Sequence, residues 1–220
     1  LIKKAAQAGA DAIKFQTYKT ENLDSADSGK AKYQKTHTDS EESQFEMLKK
    51  LELNRDLHFH LKKFAKNCGI TFLSSPFDDS SVDFLETVDI AAYKIPSGEI
   101  TNLEYLRKIA KKNKPVILST GMSNLQEIRK AVAVISEFNQ NLILLYCTSC
   151  YPTKYDQVNL KAIETLRNEF KVPIGFSDHT LGIFAPIASI ALGSCIIEKH
   201  FTLNKYMDGP DHQASLEPED

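Results

Sequence analysis

Neither sign of charge is in excess in this sequence: 27 Lys and Arg stand against 29 Asp and Glu, a formal balance of −2. Such a chain has no overall field to draw it to nucleic acid or to an anionic membrane surface. Glycine and proline are sparse, at 9 and 8 of 220 residues, and with 42% hydrophobic and 25% charged residues this leaves no room for a collagen-like or largely disordered polymer. The four cysteines, Cys68, Cys147, Cys150 and Cys195, are too few for a disulfide scaffold. The most apolar stretch, Ile183 to Ile197, is 15 residues long and is interrupted by Pro186, Ser189, Gly193 and Ser194. A membrane span needs about 20 residues. No basic segment followed by a short apolar run opens the chain, so a reducing, cytoplasmic setting is expected. Neither GxGxxG nor GxxxxGK[ST] occurs, which removes the signatures of dinucleotide and P-loop binding.

What the sequence does contain is alternation. DAIKF, GITFLSS, IAAYKI, KPVILST, LILLYCT, VPIGFSD and SCIIEKH read as seven strands separated by helical patterns, the signature of βα units and a parallel sheet. Helix starts are marked by Thr101 with Glu104, by Ser123 with Gln126, and by Ser80 ahead of VDFLETV. Polar residues gather at the C-terminal ends of all seven strands. An open sheet would spread those ends along an edge, whereas a barrel converges them on one mouth, where that fold carries its active sites. The expected architecture is therefore an α/β chain of the TIM-type (β/α) barrel class. It forms one domain over residues 1–220 and lacks its first strand, because a helical segment, LIKKAAQAGAD, precedes DAIKF. The polar segment from Thr17 to about Glu42 is long for a βα connection and is expected to form a functional loop over the mouth.

Side chains two apart on a strand share a face, so Lys14 pairs with Gln16, Ser177 with His179, and Glu198 with His200. The last two pairs end consecutive strands, and two imidazoles at matching depth on adjacent parallel strands can share a divalent metal; His179 and His200 are the metal candidates. Each could also simply hydrogen-bond at the rim. Lys14 and Lys94 interrupt apolar strands, a position that needs a neutralising anion, either a phosphate or carboxylate ligand or an internal partner such as Glu99 or Glu198. Ser75, Ser97, Ser119, Ser149 and Ser177 mean little singly, but five hydroxyls converging on one mouth suggest an anion cradle. CTSC at Cys147 to Cys150 straddles a strand end and does not open a helix, which argues against a redox pair. Phe45, Met47, Leu48 and Leu51, at helical spacing, read most simply as core.

KFQTY (14–18), ESQFEMLKKLEL (42–53), FLSSPFD (72–78), YKIPSGEITNL (93–103), PVILSTGM (115–122), CTSCYP (147–152), GFSDHTLG (175–182), IEKHFTL (197–203) and GPDHQASLEP (209–218) together closely resemble the N-acetylneuraminate (sialic acid) synthase family. That family includes the legionaminic and pseudaminic acid synthases. The resemblance covers the whole chain and implies a β/α barrel that condenses phosphoenolpyruvate with an N-acetylated aminosugar aldehyde. The products would be a nine-carbon 2-keto acid and phosphate. It further implies a divalent ion, manganese with magnesium or cobalt as alternatives, held by His179 and His200. Lys14, Ser75, Lys94, Ser97, Ser119, Ser149 and Ser177 would bind phosphoenolpyruvate, and Gln16, Tyr151 and Asp211 would face the sugar. Glu99, Glu198 and Lys94 are the catalytic candidates, the carboxylates for proton transfer and for steadying a charged intermediate. The resemblance also implies a homodimer, a first strand with a Glu and an Asn-His-Asn-Gly segment before Leu1, and an antifreeze-like domain after Asp220 that sends an Arg into the partner's site. An aldol synthase acting on phosphoenolpyruvate and a sugar phosphate, or a non-catalytic fragment of such a barrel, are the competing readings.

Overall fold

The structure, a computed structural model, describes residues 1–25, 28–31, 34–35, 38–39 and 41–220. Positions 26, 27, 32, 33, 36, 37 and 40, all within the segment expected to cover the mouth, lie outside the described residues. The seven expected strands all form: β1 (Ala12–Thr17), β2 (Thr71–Pro76), β3 (Tyr93–Ile95), β4 (Val116–Ser119), β5 (Leu142–Cys147), β6 (Ile174–Asp178) and β7 (Ile197–Lys199). Between them run α1 (Ile2–Gln7) ahead of β1, α2 (Thr20–Leu23), α3 (Gln44–Leu51), α4 (Arg55–Asn67), α5 (Asp79–Val88), α6 (Leu103–Ala110), α7 (Leu125–Ser136), α8 (Ala162–Phe170) and α9 (Phe184–Ala191). No helix among the described residues is long and apolar enough to cross a membrane.

Every ladder is parallel. β1 pairs with β2, β3 through β7 pair in chain order, and β2 packs alongside β3. In a flat sheet, β1 and β7 would be separated by six strand spacings, about 29 Å. Yet Lys14 Nζ on β1 lies 3.7 Å from Glu198 Oε2 on β7, and Lys94 Nζ on β3 lies 3.4 Å from Glu198 Oε1. The sheet is curled around these side chains, as in a barrel. Among the described residues no ladder joins β7 to β1.

Alternation along each strand sorts the residues. Outward positions such as Phe72, Tyr93, Ile95, Val116, Leu118, Leu144, Ile174 and Phe176 are buried under the helices and form the main core. Inward, below the polar rim, the interior is filled to contact: a Cβ on Gly175 would come within 2.5 Å of Leu145 Cδ2 and 2.6 Å of the Ile196 carbonyl oxygen. Only glycine fits there. On the outer side of β1 and β2, the buried His58 ring shares hydrogen bonds with Thr17 Oγ1 (2.7 Å) and the Asn54 carbonyl (3.0 Å), pinning α4 to the sheet.

Helix starts differ from expectation by one or two residues. The N-caps are Asn102, Asn124 (a capping box with Glu127) and Asp78, in place of Thr101, Ser123 and Ser80. In each case an Asn or Asp side chain reaches the free N–H groups of the first turn, which the nearby hydroxyls do not.

Candidate active site

The C-terminal ends of the strands surround a cavity of about 380 Å³. Lys14 and Gln16 from β1, Ser75 from β2, Lys94 from β3, Ser119 from β4, Ser177 from β6 and Glu198 from β7 line it. Ser97, Ser149, Tyr151, His179, His200 and Asp211, from the connections that follow strands, complete the polar part of its wall. The site residues expected from sequence are thus brought together, with one exception. Glu99 is absent from the lining; its carboxylate accepts a hydrogen bond from Asn102 Nδ2 (3.1 Å). The chain leaves the β pleat at Pro96 and coils into a short turn over Ser97–Glu99, so a place just after the strand end does not carry Glu99 into the cavity.

Charge around Glu198 is unbalanced. Glu198 faces both lysines and accepts from Ser177 Oγ (2.8 Å). Burial opposes its ionisation, but Lys14, Lys94 and the Ser177 hydroxyl hold its carboxyl well below the usual carboxylate range. Burial, reinforced by Lys14, pushes the Lys94 ammonium down despite the attraction of Glu198. The cavity's other carboxyl, Asp211, lies 3.7 Å from His200 Nδ1, and burial pushes its pKa up, so among the described residues Glu198 is the one carboxylate within ion-pair distance of the two ammonium groups, which leaves about one positive charge there without a close partner. The internal ion pair anticipated as an alternative to an anion site is therefore present, yet it neutralises only half of the positive charge. Ser75 and Ser119, 1% and 3% exposed, have side-chain hydroxyls without a hydrogen-bond partner. Buried hydroxyls in that condition take a partner from water or from a ligand.

The imidazoles form a second corner. The ring centroids of His179 and His200 are 5.6 Å apart, and the Tyr151 ring lies 4.2 Å from the first and 5.7 Å from the second. Burial lowers the pKa of both histidines, that of His200 to about 3 with Lys14 and His179 adding to the effect, so both rings are neutral at pH 7. His179 Nδ1 lies 2.7 Å from the Thr148 carbonyl and must donate to it, which leaves Nε2 with its lone pair. A neutral, oriented imidazole pair is the donor chemistry a divalent ion requires. Among the described residues no group of three or more His, Cys, Asp or Glu side chains could enclose an ion, so a metal held here would keep positions open for water or substrate oxygens.

The opposite wall is apolar. Tyr18, Met47, Leu48, Leu51 and Phe77 line it; Met47 is buried as expected of a core residue, whereas Leu51, also expected in the core, is exposed at the cavity. Gln34 brings the segment after β1 to the same cavity, as expected of a loop over the mouth. That segment is tied down by Glu52, which accepts from Thr20 N–H (3.1 Å) and Thr20 Oγ1 (3.0 Å), and by the buried Lys30, 3.1 Å from Glu42.

The family model for the NeuB family matches residues 1–220. The chain belongs to the NeuB family. It is 53% identical to the N,N'-diacetyllegionaminic acid synthase of Campylobacter jejuni over 100% of this chain and 67% of that protein. It is 48% identical to the enzyme of the same name from Legionella pneumophila, over 100% of this chain and 63% of that protein. Its fold is similar to the crystal structure of the N-acetylneuraminic acid (sialic acid) synthetase of Leptospira borgpetersenii in complex with citrate. The TM-score there is 0.87 at 33% identity, covering 99% of this chain and 72% of that one. The chain thus spans 63% to 67% of the length of these two curated relatives.

Two members of this NeuB-family site escaped the sequence reading. Gly121 N–H donates to Ser97 Oγ (2.9 Å), and a Cβ there would collide with Ser149 Oγ and come within 2.8 Å of Cys147 Sγ and 2.9 Å of Ser97 Oγ. Cys147 is a lining residue 3.2 Å from Ser97 Oγ, and all four cysteines are free thiols. The TGM triplet after β4 was the available signal for Gly121, since a glycine ending a strand often marks close approach.

Proposed function

We propose that this NeuB-family barrel condenses phosphoenolpyruvate with an N-acetylated aminosugar aldehyde, releasing phosphate and forming a nine-carbon 2-keto acid. The observation that carries the reading is the uncompensated positive charge of Lys14 and Lys94 beside the orphaned hydroxyls of Ser75 and Ser119. Phosphoenolpyruvate, with a phosphate and a carboxylate, supplies the acceptors and charge this half of the cavity lacks. Ser97, Ser149 and Ser177 add donors to the same cradle, and the structure of the Leptospira relative is in complex with citrate, likewise a polyanion. Gln16, Tyr151 and Asp211 would orient the sugar hydroxyls. The apolar wall of Tyr18, Met47, Leu48 and Leu51 suits acetamido methyl groups.

In this reading carbon 3 of phosphoenolpyruvate attacks the aldehyde carbon, the π pair forming the new C–C bond while the aldehyde oxygen takes up a proton. The cradle holds the two carbons at near-attack distance. Carbon 2 is left cationic, and the ionised Glu198 carboxylate, inside the cavity, would steady it. Water then adds at carbon 2, and the tetrahedral product loses phosphate to give the ketone. His179 and His200 would hold a divalent ion, manganese by the family resemblance; when bound it supplies Lewis-acid polarisation of the aldehyde oxygen. Lys94 would bind the phosphoenolpyruvate anion. Assembly as a homodimer and a cytoplasmic setting are further parts of the proposal.

The test is mass spectrometry of products from phosphoenolpyruvate and a panel of aldehydes, namely N-acetylmannosamine, its 6-phosphate and diacetamido sugars, with phosphate release followed in parallel in the full polypeptide. A nine-carbon keto acid with stoichiometric phosphate is expected. Phosphate release with none of these acceptors would overturn the proposal.

A further inference from the structure

The two strands that lead into the imidazoles carry a buried ion pair on their other face. On β6, Asp178 lies between Ser177 and His179; on β7, Lys199 lies between Glu198 and His200. The ladder pairs Ser177 with Glu198 and Asp178 with Lys199. Facing the cavity, Ser177 Oγ donates to Glu198 (2.8 Å); on the reverse face, Lys199 Nζ lies 2.5 Å from Asp178 Oδ2. The side chains of this reverse-face pair are 0% (Asp178) and 8% (Lys199) exposed. Asp178 also accepts from Thr180 N–H (2.9 Å) and Thr180 Oγ1 (3.0 Å), and Lys199 donates to the Thr180 carbonyl. His179 is therefore flanked on both sides by residues bound to one buried cluster, and that cluster reaches across to the residue preceding His200.

Burial energy does not account for the pair. Apolar residues of similar volume usually stabilise such a position at least as well as an ion pair does. What apolar residues lack is direction: the carboxylate and ammonium fix the register of β6 against β7 and the turn at Thr180. We infer that Asp178 and Lys199 are positioning residues that set the His179 and His200 imidazoles against each other for a divalent cation. The inference rests on the proposed metal role of those two histidines.

Binding of Mn²⁺ to the full polypeptide, followed by the electron paramagnetic resonance signal of the free ion with thermal unfolding alongside, tests it. Asp178→Asn combined with Lys199→Met removes both charges together and leaves no unpaired buried ion. This double variant is expected to bind Mn²⁺ about tenfold more weakly, the scale of losses when groups that orient metal ligands are changed. Lys199→Arg keeps the pair and is expected to bind nearly as the wild type does. A merely structural role would lower the unfolding midpoint and leave the Mn²⁺ affinity of the folded protein unchanged, which would overturn the inference. If the double variant does not fold, Thr180→Val, which cuts one tie and spares the ion pair, is expected to weaken Mn²⁺ binding to a smaller degree; wild-type affinity in that variant would also overturn it. Failure of the wild type itself to take up Mn²⁺ would sink the metal reading and this inference together, whereas wild-type uptake with unaffected variants sinks the inference alone.

Discussion

Replacing Lys94 by Met keeps the length of the side chain and removes one positive charge from the cavity. In the wild type, Lys14 and Lys94 face Glu198 at 3.7 and 3.4 Å, so two positive charges meet one negative and an excess of one remains for a ligand. In the variant Lys14 and Glu198 cancel. A hydrogen bond to a charged group contributes roughly 1.5–3 kcal/mol, and about 1.4 kcal/mol corresponds to tenfold, so phosphoenolpyruvate affinity should fall about 10- to 100-fold. Stability should move the other way or not at all. The Lys94 side chain is 5% exposed and burial disfavours its charge, so its removal relieves a desolvation cost while Glu198 retains Lys14 as partner. Titration calorimetry with phosphoenolpyruvate, paired with thermal unfolding of the ligand-free protein, reads both quantities. Unchanged affinity would refute the anion cradle. A large fall in unfolding midpoint would instead show that Lys94 serves the fold.

Gly121→Ala should force Ser97, Cys147 and Ser149 apart and raise the KM for phosphoenolpyruvate well above that for the acceptor; equal effects on both would argue against a local cradle. His179→Ala and His200→Ala should each abolish condensation and Mn²⁺ binding, and wild-type turnover by either in chelator-treated buffer would remove the metal assignment. Glu198→Gln should cut kcat while binding of phosphoenolpyruvate holds or tightens, because a negative charge has left the cavity; weaker binding would contradict its assigned role. Burial alone would raise the pKa of Glu52, yet hydrogen bonds from Lys19, Thr20 and Lys49 bring it from 4.5 to about 2. With the folded value below the unfolded one, its stabilisation is complete above about pH 4.5 and is lost as pH falls toward 2. Glu52→Gln should therefore show a shallower decline of unfolding midpoint across that window, and parallel curves would refute the assignment.

Much of the site was legible because strand periodicity is local. Lys14 with Gln16, Ser177 with His179, and Glu198 with His200 could be assigned to one face from spacing alone, and all line the cavity. Glu99 was chosen from its place after a strand end, and there the chain had already left the strand for a turn, a change that Pro96 hinted at but did not specify. Spacing correctly gave α3 an apolar face, but it could not say whether that face meets the core or a cavity; Met47, Leu48 and Leu51 look the same in either setting. At Gly121 the TGM triplet could signal a close approach but not what approaches, because Ser97 and Ser149 are side chains from other connections.

Composition, periodicity and turn chemistry, all interactions among near neighbours, were enough to define the βα order, the seven strands and the polar tips. The partners of those tips belonged to the tertiary structure. Lys14 and Glu198 meet at 3.7 Å only because the sheet curls, a property of strand twist and packing summed over every strand between them. The same closure turns two lysines, one carboxylate and two orphaned hydroxyls into a site with charge to spare, and it brings Asp178 and Lys199 together behind the imidazoles. Local rules place each group on a face; only closure of the sheet decides which groups share a field.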